Sequence, residues 1–185
     1  MPNFKIDDFN IYKATSHQHL LMLLSTDGQV EIVKWIYEFI KDHPTVSFNS
    51  TILLCSIISG NLELVKFILS INPSIINEDT RVQGHESDIN VLSAAFMTAL
   101  KNGHINICKY LLTIKPDINV SVLNFKAFST CCRDGHLEAA KWFYQKYPQV
   151  SDSSAFQTAY TYSLYYTRLN VSNWLLSIKP DLENL

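Results

Sequence analysis

The residues of this chain most able to do chemistry are its cysteines and the histidines that follow Gly103 and Gly135. Cys131 and Cys132 stand beside His136, and Cys108 lies in an earlier segment of the same kind. Thiolate and imidazole together are the donor set of a zinc site. Adjacent cysteines on a helix point about 100° apart, however, and neither Cys-x-x-Cys nor His-x-x-x-His spacing is present. Buried structural cysteine is the expectation, with no metal and no cofactor. His104 and His136 follow Gly103 and Gly135 directly. A catalytic pairing there would need a nucleophile and an orienting acid, which no motif supplies. The five glycines are isolated, so no loop is built to cradle a phosphate. No catalytic residues are assigned, and an enzyme is not expected.

Binding has a better candidate. Glu78, Asp79, Glu86 and Asp88 stand against Arg81 alone in the segment Glu78–Asp88, giving it a formal charge of −3 within a chain of net charge −2. With Gln83 and His85 these form a candidate recognition loop. Loops on a rigid scaffold often carry binding. A tolerated insertion with no role is the alternative, since lengthening a surface loop costs little entropy.

Composition narrows the partner. With 15 Lys and Arg against 17 Asp and Glu there is no overall basic field to follow a phosphate backbone, so nucleic acid is not expected. Charged residues are 17% and aromatics 12%, against disorder. No apolar run approaches the ~18 residues of a membrane span, and MPNFKIDDFN lacks the order of a secretory signal. Four cysteines without a disulfide framework fit an intracellular, unsecreted chain.

The elements that must position these residues are marked by glycine and proline. Gly28 to Gly60 and Gly103 to Gly135 are each 32 residues apart, while Gly60 to Gly103 is 43. Pro73, Pro116 and Pro148 each follow their glycine by 13, and a further 32 from Gly135 lands on Thr167, with Pro180 13 beyond it. This is an internal repeat. Seven residues after each reference position stand Trp35, Phe67, Tyr110, Trp142 and Trp174, a column expected to be largely buried. Seven before come Leu21, Leu53, Phe96, Phe128 and Tyr160, and four before come Leu24, Ser56, Ala99, Cys131 and Ser163. Those two columns share a helix face, and the small residues allow close approach of a neighbour. Each unit therefore reads as helix, tight turn, helix and connector. Positive φ is expected at Gly60, Gly103 and Gly135, and strain or a different turn at the β-branched Thr167.

The runs GNLELVKFILSINPSI, NGHINICKYLLTIKPDINVS and DGHLEAAKWFYQKYPQV resemble the second half of the ankyrin repeat, and their Lys-Trp-Leu and Ile-Lys-Pro-Asp-Ile flavour is similar to the large ankyrin-repeat families of giant DNA viruses of amoebae. The resemblance covers roughly residues 18 to 185. It departs from the family at the start of the first helices, where Thr-Pro-Leu-His is absent, and in the connectors, which lack the usual Asp-Gly turn and are expected to be loop-like.

The resemblance implies an all-α ankyrin solenoid of about five units, read as a single domain over 1–185. The N-terminal cap would be 1–17, with repeats at about 18–49, 50–77, 91–122, 123–154 and 155–185 and the insertion at about 78–90. It implies a non-enzymatic protein-protein interaction module displaying connector tips and inner helices on a concave surface. The partner would be a host or viral protein, met in the host cytoplasm. The alternative is a self-associating structural or virion component. The last unit carries Tyr160, Tyr162, Tyr165, Tyr166, Trp174, Leu175 and Leu176, and the chain ends five residues after Pro180 with no further polar helix. A monomer, or weak self-association through this Tyr-rich end, is expected.

Overall fold

The computed structural model describes residues 17–40, 47–81 and 88–184. They form ten α-helices and one short two-stranded ribbon, and their contacts divide into two compact units, Met1–Ile75 and Ile76–Leu185.

The first unit contains α1 (His17–Thr26), α2 (Val30–Ile40), α3 (Ser50–Ile58) and α4 (Leu62–Ile71). Here α1 packs on α3, while α2 and α4 fold back on α1 and α3. Leu21, Val33, Ile52, Leu53, Val65 and Ile68 are fully buried. Tyr37 sets its ring edge-on to Phe48 at 5.4 Å and to Phe67 at 5.7 Å. Asn49 starts α3 by accepting from the amides of Thr51 and Ile52, and Asn61 starts α4 by accepting from Leu64 N. Each such cap contributes about 1 kcal/mol by satisfying amides that the first turn leaves orphaned.

The second unit holds β1 (Asp79–Arg81), β2 (Asp88–Asn90), α5 (Val91–Lys101), α6 (Ile105–Ile114), α7 (Val122–Asp134), α8 (Leu137–Lys146), α9 (Ser154–Tyr165) and α10 (Leu169–Ile178). α5, α7 and α9 lie side by side, and each carries its own second helix, α6, α8 or α10. Rings link these pairs. Phe143 lies 6.3 Å from Phe96 and 5.8 Å from Phe128, and Phe128 stacks on Phe156 at 5.8 Å with 10° between planes. Such pairs add about 0.5–1.5 kcal/mol beyond the area they bury.

The expected turns are present: Gly60, Gly103 and Gly135 have φ of 75°, 76° and 88°. Thr167 takes φ 57° in the same place, so the last pair keeps the turn and carries the strain of a β-branched residue in the left-handed region. Four helices end two residues before Pro73, Pro116, Pro148 and Pro180, each through a residue that has left the helical region (Asn72, Lys115, Tyr147, Lys179, φ between −132° and −140°), as a following proline demands. The Leu21 and Leu24 columns are buried throughout.

Two expectations need correction. The Trp35 column is not largely buried: Trp35 is 57% exposed, and Phe67, Tyr110, Trp142 and Trp174 are half-buried. The buried arc of the second helices is centred instead on Val65 and Ile68, on Cys108 and Leu111, on Ala140 and Phe143, and on Ser172 and Leu175. The aromatic column flanks that arc, where a ring packs one face and leaves an edge in water. The connectors are not all loops, either. Asp79–Arg81 pairs antiparallel with Asp88–Asn90, Arg81 opposite Asp88, and 3-10 turns run over Pro73–Asn77, Pro148–Asp152 and Pro180–Asn184.

Candidate functional site

The insertion is rooted by backbone. Val91 N donates to Glu78 O at 2.9 Å, closing the base of the ribbon at the start of α5. Asn90 works on both sides of that junction: its Oδ1 accepts from Leu92 N at 3.0 Å and its Nδ2 donates to Ile76 O at 3.3 Å. Of the candidate recognition residues, Glu78 is half-buried, and Asp79, Arg81 and Asp88 belong to the paired strands. Gln83, His85 and Glu86 lie outside the described residues. The described ends of the candidate segment thus pair as two strands, which a run such as DTR or DIN does not announce.

The cysteines are interior. Cys108, Cys131 and Cys132 are fully buried, and only Cys55 is half-buried. Burial pushes the Cys108 thiol up to about 12 and raises Cys131 and Cys132 as well, Cys131 also through the negative charge that Cys108 and Asp134 would present and Cys132 through that of Cys131. Thiols held protonated in this way are poor nucleophiles and poor ligands. Cys131 Sγ donates to the backbone carbonyl of His136 at 3.5 Å. The His136 ring instead lies on the preceding turn, where a Cβ at Gly103 would meet its Nδ1 at 2.8 Å. Among the described residues no three His, Cys, Asp or Glu side chains group in a way that could hold a metal.

That position beside the turn recurs. Asn61 Nδ2 donates to Gly28 O at 3.3 Å, and Arg168 lies across Gly135, where a Cβ would meet its Cδ at 2.9 Å, and donates from Nε to Arg133 O at 3.3 Å. Each of these glycines therefore admits the side chain that opens a later second helix, besides supplying positive φ. Sequence spacing finds the glycine column; it does not show that the next column lies on top of it.

Two surfaces remain. Across α5, α7 and α9 the solvent side of the first helices carries Lys101, Lys126, Thr130, Arg133, Thr158, Tyr162 and Tyr165, all half-buried or exposed. These are neighbours because the three helices are adjacent and the residues recur at the spacing of one helix face. Arg133 is held by Asp134 at 2.7 Å, which raises its pKa, and its Cζ lies 5.9 Å from the Tyr166 ring centroid. The other surface is the far side of the last pair, where Leu164, Tyr165, Tyr166 and Leu169 are exposed. A depression of about 390 Å³ beside Gln157, Lys179 and Asp181 has mixed charge, and Lys179 Nζ turns away to Ser151 O at 3.4 Å. It gathers no set of groups for catalysis.

Comparison with protein-family models finds no match, and comparison with curated proteins finds none. Among the described residues no helix is long and apolar enough to cross a membrane.

Proposed function

We propose that the chain is an ankyrin-type solenoid of five helical pairs whose work is to bind another protein, without chemistry of its own. What carries this reading is the row across α5, α7 and α9. Lysine, arginine, threonine and tyrosine are presented there by three packed helices. Tyrosine and arginine are the residues that most often anchor protein interfaces, and helices hold them in fixed register. The segment Glu78–Asp88, with its formal charge of −3, would add acidic groups just before α5 in the chain, so a partner would meet a basic and aromatic row together with an acidic segment.

The partner is proposed to be a protein of the host or of the virus, met inside the cell, as the sequence resemblance implies. The unpaired cysteines agree with a reducing compartment. Capture from cells expressing the tagged chain tests the reading against two folded variants, one carrying Lys126→Glu with Tyr162→Ser and one lacking residues 82–87. A protein retained by the parent and lost with either variant, at unchanged helix content, supports it. The same proteins retained on the parent and on both variants would overturn it.

A further inference from the structure

We infer that the row on α5, α7 and α9 takes a short acidic stretch of its protein partner, whose carboxylates are received by Lys101, Lys126 and Arg133. The inference rests on the reading of that row as a binding surface and names the chemistry of what it binds.

The first argument is the imbalance of charge. α5, α7 and α9 contain no glutamate and a single aspartate, Asp134. That aspartate is engaged by Arg133, Nε donating to Oδ1 at 2.7 Å and Nη2 to Oδ2 at 3.0 Å. On the second helices lysines are answered within the chain. Lys34 Nζ lies 3.3 Å from Glu31 and 2.6 Å from Glu63, and Lys141 Nζ lies 3.2 Å from Glu138. Among the described residues Lys101 and Lys126 take part in no ion pair, and Lys126 is exposed.

The second argument is the inventory of donors. A guanidinium has five N–H groups, so the two bonds to Asp134 leave three on Arg133. The same two bonds, with the Tyr166 ring centroid 5.9 Å from Cζ, hold that group in place. Thr98, Thr130 and Tyr162 recur 32 residues apart and form one column across the three helices. Thr158 and Thr161 of α9 return their hydroxyls to Ser154 O and Gln157 O. Among the described residues the hydroxyls of Thr98 and Thr130 make no such bond. The row is rich in unmet donors, and an ionised carboxylate, which only accepts, is their complement.

The third argument is spacing. Lys101 and Arg133 hold equivalent positions on the adjacent helices α5 and α7, and Lys126 lies about two turns back along α7. Packed helices stand about 8–10 Å apart, and an extended chain advances about 3.3 Å per residue. Carboxylates three residues apart therefore match neighbouring helices. A nucleic-acid backbone fits less well, because three cations are few and the chain as a whole carries −2. The strands that hold Asp79 and Asp88 also lie at the start of α5. Lys101 closes that helix about 15 Å further on, so a short acidic stretch stays clear of them where a long polyanion would not.

Fluorescence anisotropy on the full chain tests the inference with a labelled Gly-Ser peptide carrying glutamate at every third residue. Saturable binding that weakens as salt rises is expected. It should fall at least about tenfold for the same peptide with glutamine, and for the Lys101→Glu, Lys126→Glu double variant. Lys126→Glu alone, an exposed change, should weaken it about threefold at unchanged melting. Lys109→Glu with Lys146→Glu alters net charge equally from exposed positions on α6 and α8, and should leave affinity within about twofold. Absence of binding, equal affinity for the glutamine peptide, or equal loss in both double variants would overturn the inference. So would tighter binding of a single-stranded oligonucleotide, which would reassign the row to nucleic acid. Failure of this inference is distinguishable from failure of the row itself. Proteins lost from the Lys126→Glu, Tyr162→Ser capture while the glutamate peptide stays unbound would keep the row and discard the acidic ligand.

Discussion

The pairs α7–α8 and α9–α10 follow one pattern and meet opposite surroundings. In the first, Phe128, Cys131, Cys132, Ala140 and Phe143 are all buried, and its turn is closed by Gly135 in the conformation glycine prefers. In the second, Tyr160, Ser163, Ser172 and Leu175 repeat the buried columns, yet Leu164, Tyr165 and Leu169 are exposed and the turn is made by Thr167. A helical pair of this kind has two apolar sides. Its own sequence buries one of them, and what stacks on it decides the other.

The largest expected difference between the pairs is in side-chain truncation. Phe128 touches Phe143, Phe156 and Trp174, so Phe128→Ala should cost ~3–5 kcal/mol in denaturant unfolding, cavity included. Tyr165→Ala on the open face should stay within about 0.5 kcal/mol. Equal losses at the two sites would break the comparison.

The turns give the next effect, with opposite signs. Gly135→Ala puts a Cβ 2.9 Å from Arg168 Cδ at φ +88° and should destabilise by more than about 1 kcal/mol. Thr167→Gly relieves a left-handed β-branched residue and should stabilise by about 1 kcal/mol, the relief exceeding the added freedom of the unfolded chain. Thermal melts of the two variants measure both. A loss of stability in Thr167→Gly would mean that the turn is not strained.

The last effect is confined to alkaline pH. Burial raises the Cys108 thiol from 9.0 to about 12, so above about pH 9 the unfolded chain releases a proton that the native state keeps. Stability from this thiol is complete below pH 9 and falls as pH rises towards 12. Cys108→Ala should flatten that fall, measured as melting temperature against pH. The last pair has no part in it, because the columns of Cys108, Cys131 and Cys132 hold Ser172, Ser163 and Leu164 there.

Much of this organisation is legible in the sequence, because glycine and proline act through backbone geometry alone. Their spacing locates four turns and four helix ends without reference to any neighbour. The small-residue column before each turn is legible for a related reason, since helices that approach closely demand it. The aromatic column is misread when size is taken for burial. Trp35 and its equivalents sit beside the apolar arc, while the smaller Val65, Cys108, Ala140 and Ser172 sit at its centre.

The candidate sites divide in the same way. An insertion of eleven residues shows as a broken period, but its pairing of Asp79–Arg81 with Asp88–Asn90 leaves no alternation to detect. The row of Lys101, Lys126, Arg133 and Tyr162 belongs to no single segment and becomes a surface only when α5, α7 and α9 lie side by side. The tyrosines of the last pair were legible as a face that could not all be hidden.

Hydroxyl-radical footprinting of the dilute protein tests the central contrast between covered and uncovered pairs most directly. Tyr165 and Leu169 should be oxidised rapidly, while Phe128, Phe143 and Leu175, buried in the second unit, should react only as the protein unfolds. Comparable rates at Phe128 and Tyr165 in the folded protein would contradict the account.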